Sequence, residues 1–173
     1  MSQLIIPRLE TERLVLRELR DGDLEEYAPM MADPEVARYL GDGRTQTRDE
    51  AWRSIAMLVG HWHLRGYGMW AVTERERDHM IGRVGFFYPE GWPGFEIGWT
   101  FGRGAWGKGY ATEAARRVLA YGFEEMGRKE IISVIHPDNK ASIRVAEKIG
   151  ERFARKETVR GIERLIYSIA LPS

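Results

Sequence analysis

The sequence predicts a single-domain α/β fold in which a mixed, mostly antiparallel central sheet is flanked by helices. Three observations predict it. Aromatic and β-branched stretches near 67–73, 80–88 and 94–101 follow one another with only Glu74 to His79 and Pro89 to Pro93 between them, the pattern of an antiparallel meander. A helical segment, Thr112 to Met126, then leads into Ile131 to Ile135, apolar at nearly every position as a strand covered on both faces must be; a helical crossover makes it parallel to the last meander strand. With 173 residues, 43% hydrophobic and 30% charged, the chain is sized for one core, and 1–173 reads as one domain.

The elements follow in order. Thr11 to Arg17 alternates, with Leu14 and Leu16 on one face and Arg13, Val15 and Arg17 on the other, and opens the sheet as a strand. Asp21 is placed to cap a helix over Leu24 to Met31, and Asp33-Pro34 repeats the signal with proline at the first helical position. Thr47-Arg48-Asp49-Glu50 has capping-box spacing, and Trp52, Ile55, Leu58, Val59 and Trp62 continue at helical intervals up to Gly66. In the segment Thr112 to Met126, Ala115, Val118, Leu119, Phe123 and Met126 share one face, and Gly127 ends it. Asp138 or Asn139 caps a further helix with Ala141, Val145 and Ile149 inward, ending at Gly150. A hairpin of Arg152 to Thr158 and Ile162 to Ala170 turns at Gly161.

Composition excludes several function classes. Lys plus Arg and Asp plus Glu each total 26, so no overall field favours nucleic acid or an anionic membrane. Without cysteine there is no disulfide, no thiolate nucleophile and no cysteine-ligated zinc. His61 and His63 point to different sides of a helix, so no metal site is predicted. Met1 to Arg8 lacks the pattern of a secretory signal and no apolar run reaches membrane-span length, which predicts a cytoplasmic protein. The six tryptophans at positions 52, 62, 70, 92, 99 and 106 sit at helical or strand spacing and read as core or pocket walls.

The chemistry concentrates where the strand Phe95 to Phe101 passes through Gly102-Arg103-Gly104-Ala105-Trp106-Gly107-Lys108-Gly109 into the helix that follows. N–H groups at a helix start have no intrahelical acceptors, and the helix dipole there favours negative charge, so such a turn suits a phosphate. Taken alone, two glycines only make a tight turn, and neither the Walker pattern nor the dinucleotide fingerprint is matched.

Several segments in order carry a resemblance. Thr11-Glu12-Arg13-Leu14-Val15-Leu16-Arg17, Glu96-Ile97-Gly98-Trp99, Trp106-Gly107-Lys108-Gly109-Tyr110-Ala111-Thr112-Glu113-Ala114 and His136-Pro137-Asp138-Asn139-Lys140-Ala141-Ser142-Ile143-Arg144 resemble the GNAT superfamily of coenzyme A-dependent N-acetyltransferases, and within it the RimJ/RimL-like branch. The resemblance implies a GNAT-like sheet and acetyl-CoA as co-substrate, with Trp106 to Thr112 (Trp106, Gly107, Lys108, Gly109, Tyr110, Ala111 and Thr112) at the pyrophosphate. Trp106 stands where Gln or Arg is commoner. It also implies that the strand around Trp99, Thr100 and Phe101 splays from its parallel neighbour to meet the pantetheine arm, with Asn139 and Ser142 bordering the thioester.

Glu96 is the candidate base, because alternation places it with Gly98 and Thr100 on the strand entering the turn; a structural ion pair is the competing role. Ser142 is the candidate donor to the departing thiolate, since the tyrosine the superfamily often uses is replaced by Ala146. His136 is a further proton acceptor to weigh. The expected acceptor is a primary amine, on a small molecule or a protein N-terminus, attacked directly in a ternary complex, with the early helices and last hairpin shaping its pocket. A homodimer is left open, and a non-catalytic acyl-CoA sensor is the rival reading.

Overall fold

The alternation of residues 67 to 101 folds as the centre of one eight-stranded sheet. The structure, a computed structural model, describes residues 5–171, so the reading of the amino terminus at Met1 to Leu4 and the last two positions of the 1–173 span lie outside the described residues. Its strands are β1 Leu9–Glu10, β2 Leu14–Arg17, β3 Met69–Glu74, β4 Met80–Phe87, β5 Glu96–Phe101, β6 Glu130–Ile135, β7 Arg152–Val159 and β8 Ile162–Ala170. Their order is β1-β2-β3-β4-β5-β6-β8-β7. All neighbours are antiparallel except β5 and β6, which are parallel and joined by a helical crossover as the sequence predicts.

Helices cover both faces. On one, α4 (Tyr110–Glu124) and α5 (Lys140–Lys148) lie over a core containing Trp70, Val84, Phe86, Ile97, Val118 and Ile131. On the other, α1 (Leu24–Ala32), α2 (Pro34–Ala37) and α3 (Arg48–Arg65) cover Met69, Ala71 and Met80. Two apolar layers on one sheet are what a three-layer α/β domain requires; each large side chain buried this way contributes about 1.5–3 kcal/mol. Among the described residues no helix is long and apolar enough to cross a membrane.

Caps behave largely as the sequence predicts. Thr47 and Glu50 form a reciprocal capping box on α3, Asp33 accepts from the Glu35 N–H at the start of α2, and Asn139 accepts from the Ser142 N–H at the start of α5. Asp21 does not cap α1. It accepts the Trp52 indole N–H instead, which explains why Trp52, read as part of the inward stripe of α3, is 48% exposed. The inward stripe of α5 likewise shifts: Ala141 is exposed, while Ala146 and Ile149 are buried.

The first strand is shorter than the alternation suggests. Thr11 leaves the sheet in a bend, its hydroxyl accepting the Leu14 N–H, and β1 pairs back on β2 ahead of that bend. All four residues of β2 are buried, so Arg17 does not face solvent. Its guanidinium pairs with Asp23 at 2.8 Å and Asp78 at 2.9 Å, and the Asp23 hydrogen bond raises its pKa against the opposing effect of burial.

Candidate active site

The glycines of the junction make the tight turn into α4. Gly107 and Gly109 have φ of 74° and 79°, a left-handed backbone that side chains disfavour, and Gly109 is the N-cap of α4 without any side-chain cap. The first helical hydrogen bond there is from the Glu113 N–H to the Gly109 carbonyl, so the preceding N–H groups at the start of α4 have no intrahelical acceptor. They open onto a groove of about 440 Å³ lined by Trp99 to Phe101, Trp106, Gly107, Gly109 to Thr112, Asn139 and Ser142. This fits an elongated anionic ligand whose phosphates lie on main-chain N–H groups.

Lys108 is the one predicted cofactor-contact residue that does not line the groove. Its carbonyl accepts from Arg13 at 2.9 Å, while its side chain lies over the Tyr110 ring, with Nζ 5.8 Å from the ring centroid. Trp106 has a structural contact: its indole N–H donates to the Phe101 carbonyl at 2.8 Å, tying the loop back onto β5. A main-chain turn held in this way tolerates a tryptophan where Gln or Arg is commoner.

Strands β5 and β6 diverge immediately after their one register pair, Glu96 and Ile132. Side chains fill the opening. The Val134 N–H donates to Glu96 Oε1 at 3.3 Å, and the Ser133 hydroxyl donates to the Ile97 carbonyl at 2.9 Å. The splay implied around Trp99 to Phe101 is therefore present and starts at the base of the candidate site.

Glu96 lies at that base, 8% exposed, and its Oε2 accepts the Trp92 indole N–H at 2.7 Å. Burial raises its pKa to about 7, with the Trp92 hydrogen bond pulling the other way. A carboxylate held there is half ionised near neutrality, the range in which a general base works best. It faces a second cavity of about 560 Å³, whose walls include Tyr27, Met31 and Met57 from the early helices and Val159, Arg160 and Ile162 from the last hairpin. The two cavities meet at Tyr39, Leu40, Trp99, Thr100, Asn139 and Ser142.

Ser142 stands at that meeting point, its oxygen 3.3 Å from the Trp99 indole nitrogen, which donates to it. Ala146, at the position of the absent tyrosine, is fully buried. His136 lines the larger cavity, but its Nδ1 accepts the Asp138 N–H at 3.1 Å, so in the neutral ring the proton resides on Nε2 and that nitrogen is not a free base. His61 is structural, bonded at Nδ1 to the Tyr67 carbonyl and at Nε2 to the Tyr88 N–H.

Sequence reasoning missed four residues around this site. Trp92 reads from its spacing only as a wall, although it stands four residues before Glu96. Arg83, Arg164 and Glu151 sit in segments that read as ordinary strand and turn, and nothing local marks their burial. Glu151 is 2% exposed; burial raises its pKa to about 8, and its Oε1 lies 3.1 Å from the Ser133 hydroxyl. That hydroxyl has one proton and two acceptors, so both contacts are satisfied when Glu151 itself is protonated and donates.

Comparison with known proteins agrees with this geometry. The profile of the acetyltransferase (GNAT) domain matches residues 13–152. The chain is 35% identical over 156 residues to the protein YkkB of Bacillus subtilis, covering 86% of this chain and 87% of that one. It is 34% identical over 144 residues to the N-acetyltransferase YnaD of the same organism, covering 83% and 82%. The crystal structure of an acetyltransferase from Agrobacterium tumefaciens superposes with a TM-score of 0.87 at 30% identity, covering 99% of this chain and 98% of that one. With the domain match spanning the glycine turn, the splay and the groove on α4, the chain belongs to the GNAT acetyltransferase family and is an N-acetyltransferase.

Proposed function

We propose that the chain, 1–173, acts as one domain that transfers the acetyl group of acetyl-CoA to a primary amine by direct attack in a ternary complex. The observation that carries this reading is the buried Glu96 carboxylate facing an acceptor-sized cavity that joins the groove ending on the α4 N-terminus. The narrower likeness to RimJ/RimL-like enzymes belongs to the same proposal and rests on the motifs from Thr11 to Arg17 and from Trp106 to Ala114.

Acetyl-CoA supplies the activated acetyl group. The turn Trp106 to Thr112 binds its pyrophosphate through main-chain N–H groups, and Trp99, Thr100, Phe101 and Asn139 border its arm. Glu96 takes a proton from the attacking amine as the C–N bond forms. The C–S bond then breaks, and the hydroxyl of Ser142, oriented by Trp99, is placed to donate to the leaving sulfur. Positioning two substrates across the shared wall is the protein's largest task.

The test is release of free thiol from acetyl-CoA by the purified protein with and without a panel of amines. Amine-dependent release supports transfer; binding of acetyl-CoA without release across the panel favours the sensor reading.

A further inference from the structure

Two arginines face the larger cavity without an anion of their own. Arg83 on β4 pairs across the sheet with Thr100, and Arg164 comes from β8; both line the cavity with Glu96. Arg164 is 7% exposed, donates to the Gly41 carbonyl, and has its Nη1 buried with no partner among the described residues. Arg83 is half-buried, and its Nε is fully covered and unpartnered. Neither guanidinium joins an ion pair among the described residues.

Burying an unpaired cation is costly, so such a pair needs an explanation. Arg128 also has an unpartnered Nε, but its guanidinium lies 3.9 Å from the centroid of Phe95 and 5.2 Å from that of Tyr67, and the two ring faces account for it. Among the described residues Arg83 and Arg164 have no such ring. Glu96 shares the cavity wall with them, yet one carboxylate against two guanidiniums leaves at least one positive charge even when fully ionised. Arg44, also on the cavity wall, pairs with Glu50 at 3.0 Å and lies 3.9 Å from Asp42, so on the wall itself Asp42 and Arg44 cancel and the surplus from Arg83 and Arg164 stands. At the mouth Arg160 adds a further cation, 5.2 Å from the Trp92 centroid.

We propose that the acceptor is a small primary amine that also carries an oxyanion, a carboxylate or a phosphate, held by Arg83 and Arg164 while its amine faces Glu96. The proposal rests on the acetyl-transfer reading for the identity of the amine, and on the unpaired cations for the anion. A planar guanidinium matches either oxyanion by paired hydrogen bonds. The cavity, about 560 Å³, is of the size that holds a small molecule.

The experiment measures binding and turnover separately. In the presence of coenzyme A, which has no acetyl group to give, affinity is measured calorimetrically for matched pairs: free amino acids against their amides, and aminoalkyl phosphates against the parent amino alcohols. The oxyanion members should bind at least about tenfold more tightly. Whichever pair shows the larger ratio identifies carboxylate or phosphate. Arg83→Met and Arg164→Met should each collapse the ratio toward one while still binding coenzyme A, which certifies their fold; Arg83→Lys, retaining charge without the fork, should keep part of it. Equal affinity within every pair, an undiminished ratio in both variants, or binding confined to longer peptides would overturn the proposal. Turnover with acetyl-CoA distinguishes the two readings: tight binding of oxyanion amines with no thiol release sinks transfer and leaves the anion site, whereas indifferent acetylation of neutral amines sinks the anion site and leaves transfer.

Discussion

The guanidinium of Arg13 lies 2.6 Å from the carboxylate of Glu113, joining the bend before β2 to the first turn of α4. The same carboxylate accepts the Thr11 hydroxyl at 2.6 Å and the Arg13 N–H at 2.9 Å, and Arg13 also reaches the Lys108 carbonyl. Two motifs a hundred residues apart in sequence are therefore one clamp on the glycine turn. Truncating Glu113 to Ala should destabilise the fold by about 1–3 kcal/mol, since it strands three donors. It should also weaken acetyl-CoA binding, because the turn loses its outer support. Denaturant titration with and without acetyl-CoA checks both; an unchanged affinity in a destabilised protein would confine the clamp to folding.

The turn itself offers a comparison. At φ of 79° Gly109 holds a backbone conformation that costs a side-chain-bearing residue about 1–2 kcal/mol. An added Cβ would meet only the flexible end of Arg13, at 3.5 Å, so the damage of Gly109→Ala is to backbone geometry. Lys108→Ala removes a side chain that does not line the groove. We expect Gly109→Ala to weaken acetyl-CoA binding clearly and Lys108→Ala to change it less than about twofold, as for a solvent-screened charge. A larger loss in the lysine variant would mean that side-chain charge, not main-chain N–H groups, binds the phosphates.

The order of elements and the glycine turn were legible because both are written locally, in periodicity and in the residues that allow positive φ. Glu96 was legible because alternation on β5 leaves it on the cavity face. Arg17, Glu151 and Arg164, which are buried, and Arg83, which is half-buried, were not, since a charged residue on a strand or turn is by default solvated and only tertiary packing covers these. The Thr11 bend escaped for a related reason: Leu14 and Leu16 alternate as a strand should, and nothing in the spacing says that the residues before them leave the sheet to reach α4.

Two buried carboxyls make stability fall as pH rises. Glu96 and Glu151 have folded pKa values of about 7 and about 8, above the 4.5 of an unperturbed glutamate. A carboxyl raised in the folded state contributes fully below the unfolded value, and the contribution is lost as pH climbs through the folded one. The fold should therefore weaken between roughly pH 4.5 and 8. Glu151→Gln, neutral at every pH, should be more stable than the parent at pH 8 and show a shallower decline. A parent whose melting temperature rises steadily over that interval would contradict the assignment.

Trp92 tunes the base. Its N–H favours the ionised form of Glu96, so Trp92→Phe, which keeps the ring and removes the donor, should push the Glu96 pKa further up. The acidic limb of the rate profile should then move to higher pH by about one unit. An unmoved limb would mean that Glu96 does not govern it.

The decisive variant is Glu96→Gln. The amide preserves the shape and can still meet the Val134 N–H, but it cannot accept a proton, and one of its ends now presents N–H groups to a site that holds the donor of Trp92. Acetyl-CoA binding should survive, because the groove on α4 does not include Glu96. Turnover should fall by about two to four orders of magnitude, the usual effect of removing a general base. The acidic limb of the profile should flatten as well, since the group titrating near pH 7 is gone. Bulk deprotonation of the amine would persist in the variant and keep its own limb, so the two causes separate in one experiment. A folded Glu96→Gln protein with parental turnover at every pH would remove Glu96 from the mechanism and move the proton to solvent, because His136 has its Nδ1 engaged by Asp138 and its other nitrogen protonated.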